Sequence, residues 1–202
     1  MIEELKEVYG PKCSAINVNG ELQKINRPSR QMKLCEAVHY SFNVPIQVSS
    51  DTIACPGARR NLGFDRDDKR LAYTISMNTG IPLKSVKKSI DSIPVMGEGI
   101  DHLNVGVTTV MEEWVPVDLF VFYLAPRQVT EMMCRLARHG IRPHIADNSL
   151  LSVCGSVITR SYLERKATIS FGCLESRRDG GVEDGEVIVG IPRDMAPYVL
   201  DQ

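Results

Sequence analysis

The chain is 202 residues long, 43% hydrophobic and 24% charged, and its formal net charge is −1. Such a composition predicts one ordinary domain with a buried core, spanning residues 1–202, and excludes an intrinsically disordered chain. The near-neutral charge provides no basic excess for nucleic-acid phosphates or an anionic membrane surface, so we expect neither as a partner.

The N-terminal segment MIEELKEVYG is acidic and amphipathic, and it lacks the basic and apolar regions of a signal peptide. No apolar run in the sequence approaches the roughly 20 residues that are needed to cross a bilayer. We therefore expect a soluble, cytoplasmic protein.

The first half of the chain is predicted to alternate helices with a short strand. Pro28 suits a first helical turn, and apolar residues recur every four positions up to Phe42, so a helix is predicted over residues 28–42. The other elements predicted here are a strand at 46–53, a short segment from the Cys55 turn to Gly63, and helices at 66–78 and 82–90.

The second half contains the run VDLFVFYL, which is continuously apolar apart from Asp118 and predicts a central strand covered on both faces. A helix that stops at Gly140 follows it. The other predicted elements are a loop at 95–100, strands at 104–111, 143–146, 167–171 and 186–191, helix caps at Asp147 and Asn148, and a short terminal helix. Because strands alternate with helices, we expect an α/β fold with a mixed sheet flanked by helices.

Two segments of the chain resemble each other, and each carries two cysteines. The first, residues 35–60, reads CEAVHYSFNVPIQVSSDTIACPGARR, and the second, residues 154–178, reads CGSVITRSYLERKATISFGCLESRR. Both open with Cys-x-x-Val and close on Cys-x-x-Ala/Ser-Arg-Arg. The repetition predicts two pseudo-symmetric halves within one domain, whose cysteine segments form one site.

The repeated cysteines, Cys35, Cys55, Cys154 and Cys173, are candidate metal ligands. In a reducing compartment, paired cysteines are more often ligands or redox groups than structural disulfides, although small buried hydrophobic residues are the alternative. Turn amides and nearby arginines are expected to lower the thiol pKa of Cys55 and Cys173. Four thiolates suit an iron–sulfur cluster, in particular 4Fe-4S, or zinc. The tight Cys-x2-4-Cys knuckles of zinc ribbons are absent, which favours the cluster.

The arginine pairs occur at the same offset from a cysteine in both segments, so Arg59, Arg60, Arg177 and Arg178 are candidate cofactor-binding residues. A four-thiolate cubane in its oxidised resting form carries a net charge of about −2, which nearby cations would neutralise. The same arginines could hold a carboxylate or phosphate substrate. The alternative is solvated surface charge.

The remaining candidate residues carry weaker signals. Cys134 is predicted to be peripheral on its helix, and Cys13 to be either a fifth ligand or, preferably, a residue without a role in the site. His39 lies one helical turn after Cys35, so it could serve as a proton donor, but a histidine packed at a helix edge is favoured. The motifs of common hydrolases, kinases and zincins are absent.

Five motifs in order make the chain similar to a family of uncharacterised archaeal and bacterial proteins, domain of unknown function 169. These motifs cover most of residues 30–195; they are LCEAV, ACPGARRNLGF, VDLFVFYLAPRQVTEMM, VCGSVITR and ISFGCLESRR followed by VIVGIP. The resemblance implies that the four repeated cysteines are the family's characteristic thiols. It supports a site without naming a reaction.

From the residues, we expect an iron–sulfur protein that acts in redox chemistry or electron transfer with a redox partner protein, or on a small anionic substrate. Four thiolate ligands leave no open coordination position, which favours electron transfer, whereas three would leave an iron open for catalysis. Whether the protein is an enzyme is left open. The alternative is a non-catalytic zinc-binding or thiol redox-sensing module. Thiol–disulfide exchange is less favoured because no Cys-x-x-Cys is present.

Overall fold

The computed structural model describes residues 1–22, 25–146 and 150–201. The candidate helix caps Asp147 and Asn148 lie outside these ranges.

Within the described residues, seven strands form one mixed sheet. The strands are β1 Cys13–Val18, β2 Ile46–Ser49, β3 His102–Val105, β4 Leu119–Leu124, β5 His144–Ile145, β6 Thr168–Ser170 and β7 Val187–Pro192. Their order across the sheet is β2-β3-β1-β4-β7-β6-β5. Neighbouring strands are antiparallel except for β5 and β6, which are parallel. The mixed sheet expected from the sequence is confirmed.

Helices cover both faces of the sheet. They are α1 Ile2–Tyr9, α2 Leu34–Ser41, α3 Pro56–Asn61, α4 Asp68–Thr79, α5 Leu83–Asp91, α6 Pro126–Arg138, α7 Arg160–Glu164, α8 Leu174–Arg178 and α9 Ala196–Leu200, with a π-helix at Ser152–Thr159 and 3-10 turns at Met111–Glu113 and Arg193–Met195. None of those in the described ranges is long and apolar enough to span a membrane.

Strand β4 occupies the middle of the sheet, and all six of its residues are buried. Because side chains alternate along a strand, Val121 and Tyr123 enter one core while Phe120 and Phe122 enter the other. The central strand predicted from the run VDLFVFYL is therefore confirmed.

The sheet separates two hydrophobic cores. The site-face core contains buried residues of α2, α3 and the π-helix, whereas the opposite core contains buried residues of α1, α6 and α9. Cys35 and Cys154 belong to the site-face core, but Cys13 lies in the opposite core. Since the sheet stands between them, Cys13 is not a fifth ligand.

The helices predicted at 66–78 and 82–90 are confirmed as α4 and α5. Helix α4 ends at Gly80, which adopts a left-handed conformation with φ of 71° and donates its backbone N–H to Ser76 O. Pro82 directly precedes α5. These glycine and proline signals act locally, which is why the sequence predicted both boundaries well.

Three predicted elements are wrong in extent, and one of them is the strand predicted at 46–53, which ends at Ser49 as β2. Helix α2 begins at Leu34, because Met32 forms a bridge to Ile53 and exchanges backbone hydrogen bonds with Thr52 and Ala54, both of 2.9 Å. The strand predicted at 104–111 is instead β3, which ends at Val105. Gly106 then turns the chain out of the sheet with φ of +82°.

Candidate functional site: a cavity lined by four cysteines

Cys35, Cys55, Cys154 and Cys173 all line one cavity of about 360 Å³. They come from four separate elements, as the wide sequence spacing requires. Apolar side chains of α4 and of the segment before the π-helix complete the walls, among them Leu71, Ile75 and Leu151. The sequence-predicted cysteines are therefore brought together around a common space.

Each cysteine occupies the same kind of position as its counterpart in the other segment. Cys35 and Cys154 lie in the first turns of α2 and of the π-helix. Cys55 and Cys173 are the N-cap residues of the short helices α3 and α8. At Cys173, the backbone N–H donates to Ser176 Oγ over 2.9 Å, which fixes the start of α8. The approximate two-fold relation between whole halves stays a prediction.

The π-helix is the irregular element that presents Cys154 to the cavity. Its wide turns are formed by bonds to the fifth preceding residue, such as Ser156 N–H to Leu151 O over 2.9 Å. Thr159 Oγ1 donates to Cys154 O over 2.8 Å. All eight of its residues are buried. π-Turns occur frequently at functional sites, and here the element carries a candidate ligand.

Two glycines allow α3 and the π-helix to approach closely. A Cβ atom at Gly57 would lie 2.4 Å from Leu151 Cδ2, and one at Gly155 would lie 2.5 Å from Asn61 Nδ2. At either distance the neighbouring side chain would have to move to admit a Cβ atom. The missing Cβ atoms therefore bring the N-terminus of α3, with Cys55, against the turn that carries Cys154.

Burial dominates the electrostatics of the thiols. Burial, with smaller contributions from the nearby thiols of Cys173 and Cys55, raises the pKa of Cys35 to about 12. The pKa of Cys154 is raised well above its usual range, again by burial first and then by the other three cysteines. Each of these thiols therefore interacts electrostatically with its neighbours, and each is a neutral S–H group while no metal ion is bound.

Cys55 shows two opposing influences on its pKa. Burial raises it, while hydrogen bonds from the backbone N–H groups of Ala58 and Gly57 lower it. The turn amides expected from the sequence are present, but burial outweighs them, so the expected net lowering of this pKa is wrong.

Asn61 is a site residue that the sequence analysis missed. Its side chain is fully buried, and Nδ2 donates to Cys154 Sγ over 3.4 Å. Asn61 directly follows the Arg-Arg pair of the first segment, whereas Asp179 follows the second pair. The two segments differ at this position, directly after the repeated Arg-Arg pair, and that difference was the sequence signal that could have identified Asn61.

The first arginine of each pair makes the same local contact. Arg59, four residues after Cys55, donates to the carbonyl oxygen of Ile53 over 3.5 Å and to that of Ser50. Arg177, four residues after Cys173, donates to Phe171 O over 2.5 Å. In both segments the acceptor lies two residues before the cysteine. Each arginine thus braces the turn that holds its own cysteine.

The second arginines differ from each other. Arg60 is buried and donates to Asp68 Oδ1 over 3.0 Å and to Ile93 O over 2.8 Å. Arg178 is exposed and forms an ion pair with Glu175 over 2.8 Å. Of the four arginines, Arg178 lines the cavity.

Lys33, which the sequence analysis did not single out, contributes a second cation to the cavity wall. Its Nζ lies 2.6 Å from Asp179 Oδ2 and also contacts Glu175. Lys33, Glu175 and Arg178 line the cavity, and their ion pairs with one another and with Asp179 link the N-terminus of α2 to α8.

The two weaker candidates, Cys134 and His39, do not line the four-cysteine cavity. Cys134 is exposed on α6, as expected. His39 packs edge-on against Phe42, with ring centroids 5.9 Å apart, and is not among the residues that line the four-cysteine cavity. The packing interpretation of His39 is thus the one that the geometry favours.

Across residues 1–22, 25–146 and 150–201, no group of three or more His, Cys, Asp or Glu side chains is arranged so that it could hold a single metal ion. The four cysteines nevertheless line the same cavity.

A second, larger cavity of about 870 Å³ adjoins the first and shares Cys173, Glu175 and Arg178 with it. Phe171 and Leu174 also line this second cavity and are 59% and 70% exposed. Cys173 is thus the cysteine at the junction of the two cavities, beside an exposed apolar surface.

The profile of one family, described as uncharacterised ArCR, domain of unknown function 169, matches residues 14–202. Neither the curated proteins nor the solved structures yield a significant match.

Proposed function

Since the chain belongs to the domain of unknown function 169 family, we propose a function from its site: the protein binds a 4Fe-4S cluster through Cys35, Cys55, Cys154 and Cys173 and transfers electrons. The observation that carries this proposal is the meeting of four cysteines, from four separate elements, around one cavity of about 360 Å³.

The lack of tight Cys-x2-4-Cys knuckles in the sequence favours a cluster over zinc. A tetrahedral zinc ion with Zn–S bonds of about 2.3 Å needs its four sulfurs about 3.8 Å from one another, around a single point. No such single-ion group is present among the described side chains. A cubane is several atoms across, and each cysteine binds a different corner, so its ligands surround a volume.

The thiol pKa values are compatible with metal ligands and unfavourable for thiol exchange. Attack on a disulfide requires a thiolate, but burial raises the pKa of Cys35 to about 12 and also raises that of Cys154. A bound metal ion displaces the thiol proton by supplying positive charge. The same buried surroundings then limit the access of water to the sulfurs of Cys35 and Cys154.

The neighbouring polar groups are suited to tuning such a site. When bound, a cluster supplies reversible one-electron chemistry. Asn61 donates toward Cys154 Sγ, and hydrogen bonds to ligand sulfurs raise the reduction potential. Lys33 and Arg178 contribute positive charge at the cavity wall, which Glu175 and Asp179 balance. Binding of the cofactor or of an anion by Arg59, Arg60, Arg177 and Arg178 stays a prediction.

Electron transfer is favoured over catalysis because four thiolates occupy all the ligand positions of a cubane. Cys55 and Cys173 are the half-buried cysteines, and Cys173 lies beside exposed Phe171 and Leu174. A redox partner protein would approach the cluster on that side.

Anaerobic purification followed by iron and sulfide analysis tests the proposal. We expect brown protein with broad visible charge-transfer absorption and about four iron and four sulfide ions per chain, as the cluster formula requires. Serine substitution at each of the four cysteines should lower cluster content severalfold. Cys13→Ser and Cys134→Ser are the matched controls and should retain it.

Colourless wild-type protein with one zinc ion per chain would instead support the zinc module. Full iron and sulfide content in every single variant would show that the four thiols are not the ligands.

A further inference from the structure

Tyr123 is a buried residue whose hydroxyl has no hydrogen-bond partner within the part of the chain that the structure describes. The residue is 3% exposed and lies on the central strand β4, on the face that carries the four-cysteine cavity. A buried hydroxyl without a partner is unfavourable, and tyrosine hydroxyls in protein interiors usually have one. The unpaired hydroxyl of Tyr123 therefore points to a hydrogen-bond acceptor that the protein chain does not supply.

The groups around Tyr123 show which of the four cysteines are its neighbours. Its ring packs edge-on against Phe42, with centroids 5.0 Å apart, which fixes its orientation. The thiols of Cys35 and Cys173 and the carboxylate of Glu186 are close enough to raise the phenol pKa further, beyond the larger effect of burial. The phenol is therefore neutral and retains its proton.

Glu186 is already engaged elsewhere. One carboxylate oxygen accepts from Lys12 Nζ over 2.7 Å, and the other accepts from Glu183 N–H over 2.9 Å. With both oxygens of Glu186 occupied, the thiols of Cys35 and Cys173 are the remaining acidic groups whose charge acts on the phenol.

We propose that Tyr123 is a positioning residue that donates a hydrogen bond to a sulfur between Cys35 and Cys173, either a ligand thiolate or a cluster sulfide, and thereby raises the reduction potential. This inference rests on the proposed function. Asn61 makes the corresponding contact to Cys154, so each side of the cavity would contain one neutral donor.

The test compares anaerobically loaded wild-type protein with Tyr123→Phe, which keeps the ring and removes the hydroxyl. Tyr162→Phe is the matched control, because Tyr162 packs against the same core but its titration responds to Asp118 and Arg165 and not to the thiols. The readouts are iron and sulfide content, the midpoint potential from a redox titration, and the melting temperature of metal-free protein.

We expect Tyr123→Phe to retain iron and sulfide while its reduced-to-oxidised ratio at the wild-type midpoint falls about three- to tenfold, where tenfold corresponds to about 59 mV for one electron. Tyr162→Phe should keep the wild-type midpoint. Metal-free Tyr123→Phe should melt at or above the wild-type temperature, because the variant removes an unpaired hydroxyl.

A fully loaded Tyr123→Phe variant with an unchanged midpoint would overturn this inference alone. A metal-free variant that melts well below the wild type would also overturn it, since the hydroxyl would then have a partner within the protein. Wild-type protein without iron and sulfide would overturn the proposed function, and this inference with it.

Discussion

The two cysteine segments place their thiols alike and use their arginines differently. Each has one cysteine in the first turns of a helix and one at the N-cap of a short helix. In both, the arginine four residues after the N-cap cysteine binds the carbonyl group two residues before it. The next arginine is buried in the first segment and exposed in the second. The contact that the two segments share is therefore the one that holds the turn of the N-cap cysteine, Cys55 or Cys173, in place.

Arg60 and Arg178 are the sharpest test of this difference, because they occupy the same position relative to a cysteine. Arg60→Met should lower the free energy of unfolding by about 3 kcal/mol, since it removes the partner of a buried carbonyl oxygen at Ile93 and of Asp68. Arg178→Met should change it by about 0.5 kcal/mol or less, because its ion pairs are exposed. Urea denaturation of both variants checks the prediction, and equal losses would contradict it.

The π-helix is the main backbone difference between the segments, and Gly155→Ala tests its packing. The added Cβ atom would lie 2.5 Å from Asn61 Nδ2 and 2.6 Å from Ile93 Cγ2, so we expect a loss of about 2 kcal/mol. Gly97→Ala is the control, because nothing lies within 4 Å of its added Cβ atom. Thermal and urea unfolding measure both variants, and a harmless Gly155→Ala would show that the approach of α3 is not tight.

The buried thiols should make metal-free protein sensitive to alkali. Burial raises the pKa of Cys35 from about 9 to about 12, so the thiol is protonated in both states below pH 9. Between pH 9 and 12 it ionises in the unfolded chain only, and stability falls as the pH rises, by about 1.4 kcal/mol per pH unit for this one group.

Urea unfolding at several pH values, with chelator and reductant present, measures this slope. Cys35→Ser should flatten it, whereas Cys134→Ser, at an exposed position, should leave it as in the wild type. A Cys35→Ser variant with the wild-type slope would show that Cys35 ionises equally in both states.

A smaller effect than those at Arg60 and Gly155 is expected for the arginines that brace the N-cap turns. Arg177→Lys should cost about 1 kcal/mol, because lysine cannot reach the three carbonyl groups of Phe171, Glu183 and Glu186 at once. Arg59→Lys should cost less, since its bond to Ile53 is long at 3.5 Å. The reverse order of the two losses in urea denaturation would contradict this ranking of the contacts.

The sequence predicted those parts of the fold that local chemistry determines. Helices α4 and α5 are bounded by Gly80 and Pro82, and β4 is recognisable because both of its faces are apolar. The π-helix was not predictable from periodicity, because all eight residues of SVCGSVIT are buried. The start of α2 also escaped prediction, since it depends on a bridge between Met32 and Ile53.

The four thiols of the site were predicted from their repetition, but their polar neighbours were not. Asn61 contacts Cys154, which lies 93 residues further along the chain. Tyr123 is oriented by the alternation of β4 and by the packing of Phe42. Such relations arise from tertiary packing and leave no pattern at short sequence spacing.

The sequence distance across the cavity has a consequence for biosynthesis. Cys35 Sγ lies 3.9 Å from Glu175 O, a contact between residues 140 positions apart. During translation the first thiol pair leaves the ribosome long before the second, and contacts of such long range form late in folding. A metal centre that needs all four sulfurs would therefore be inserted only into a nearly completed polypeptide, and its colour would report that the chain has matured.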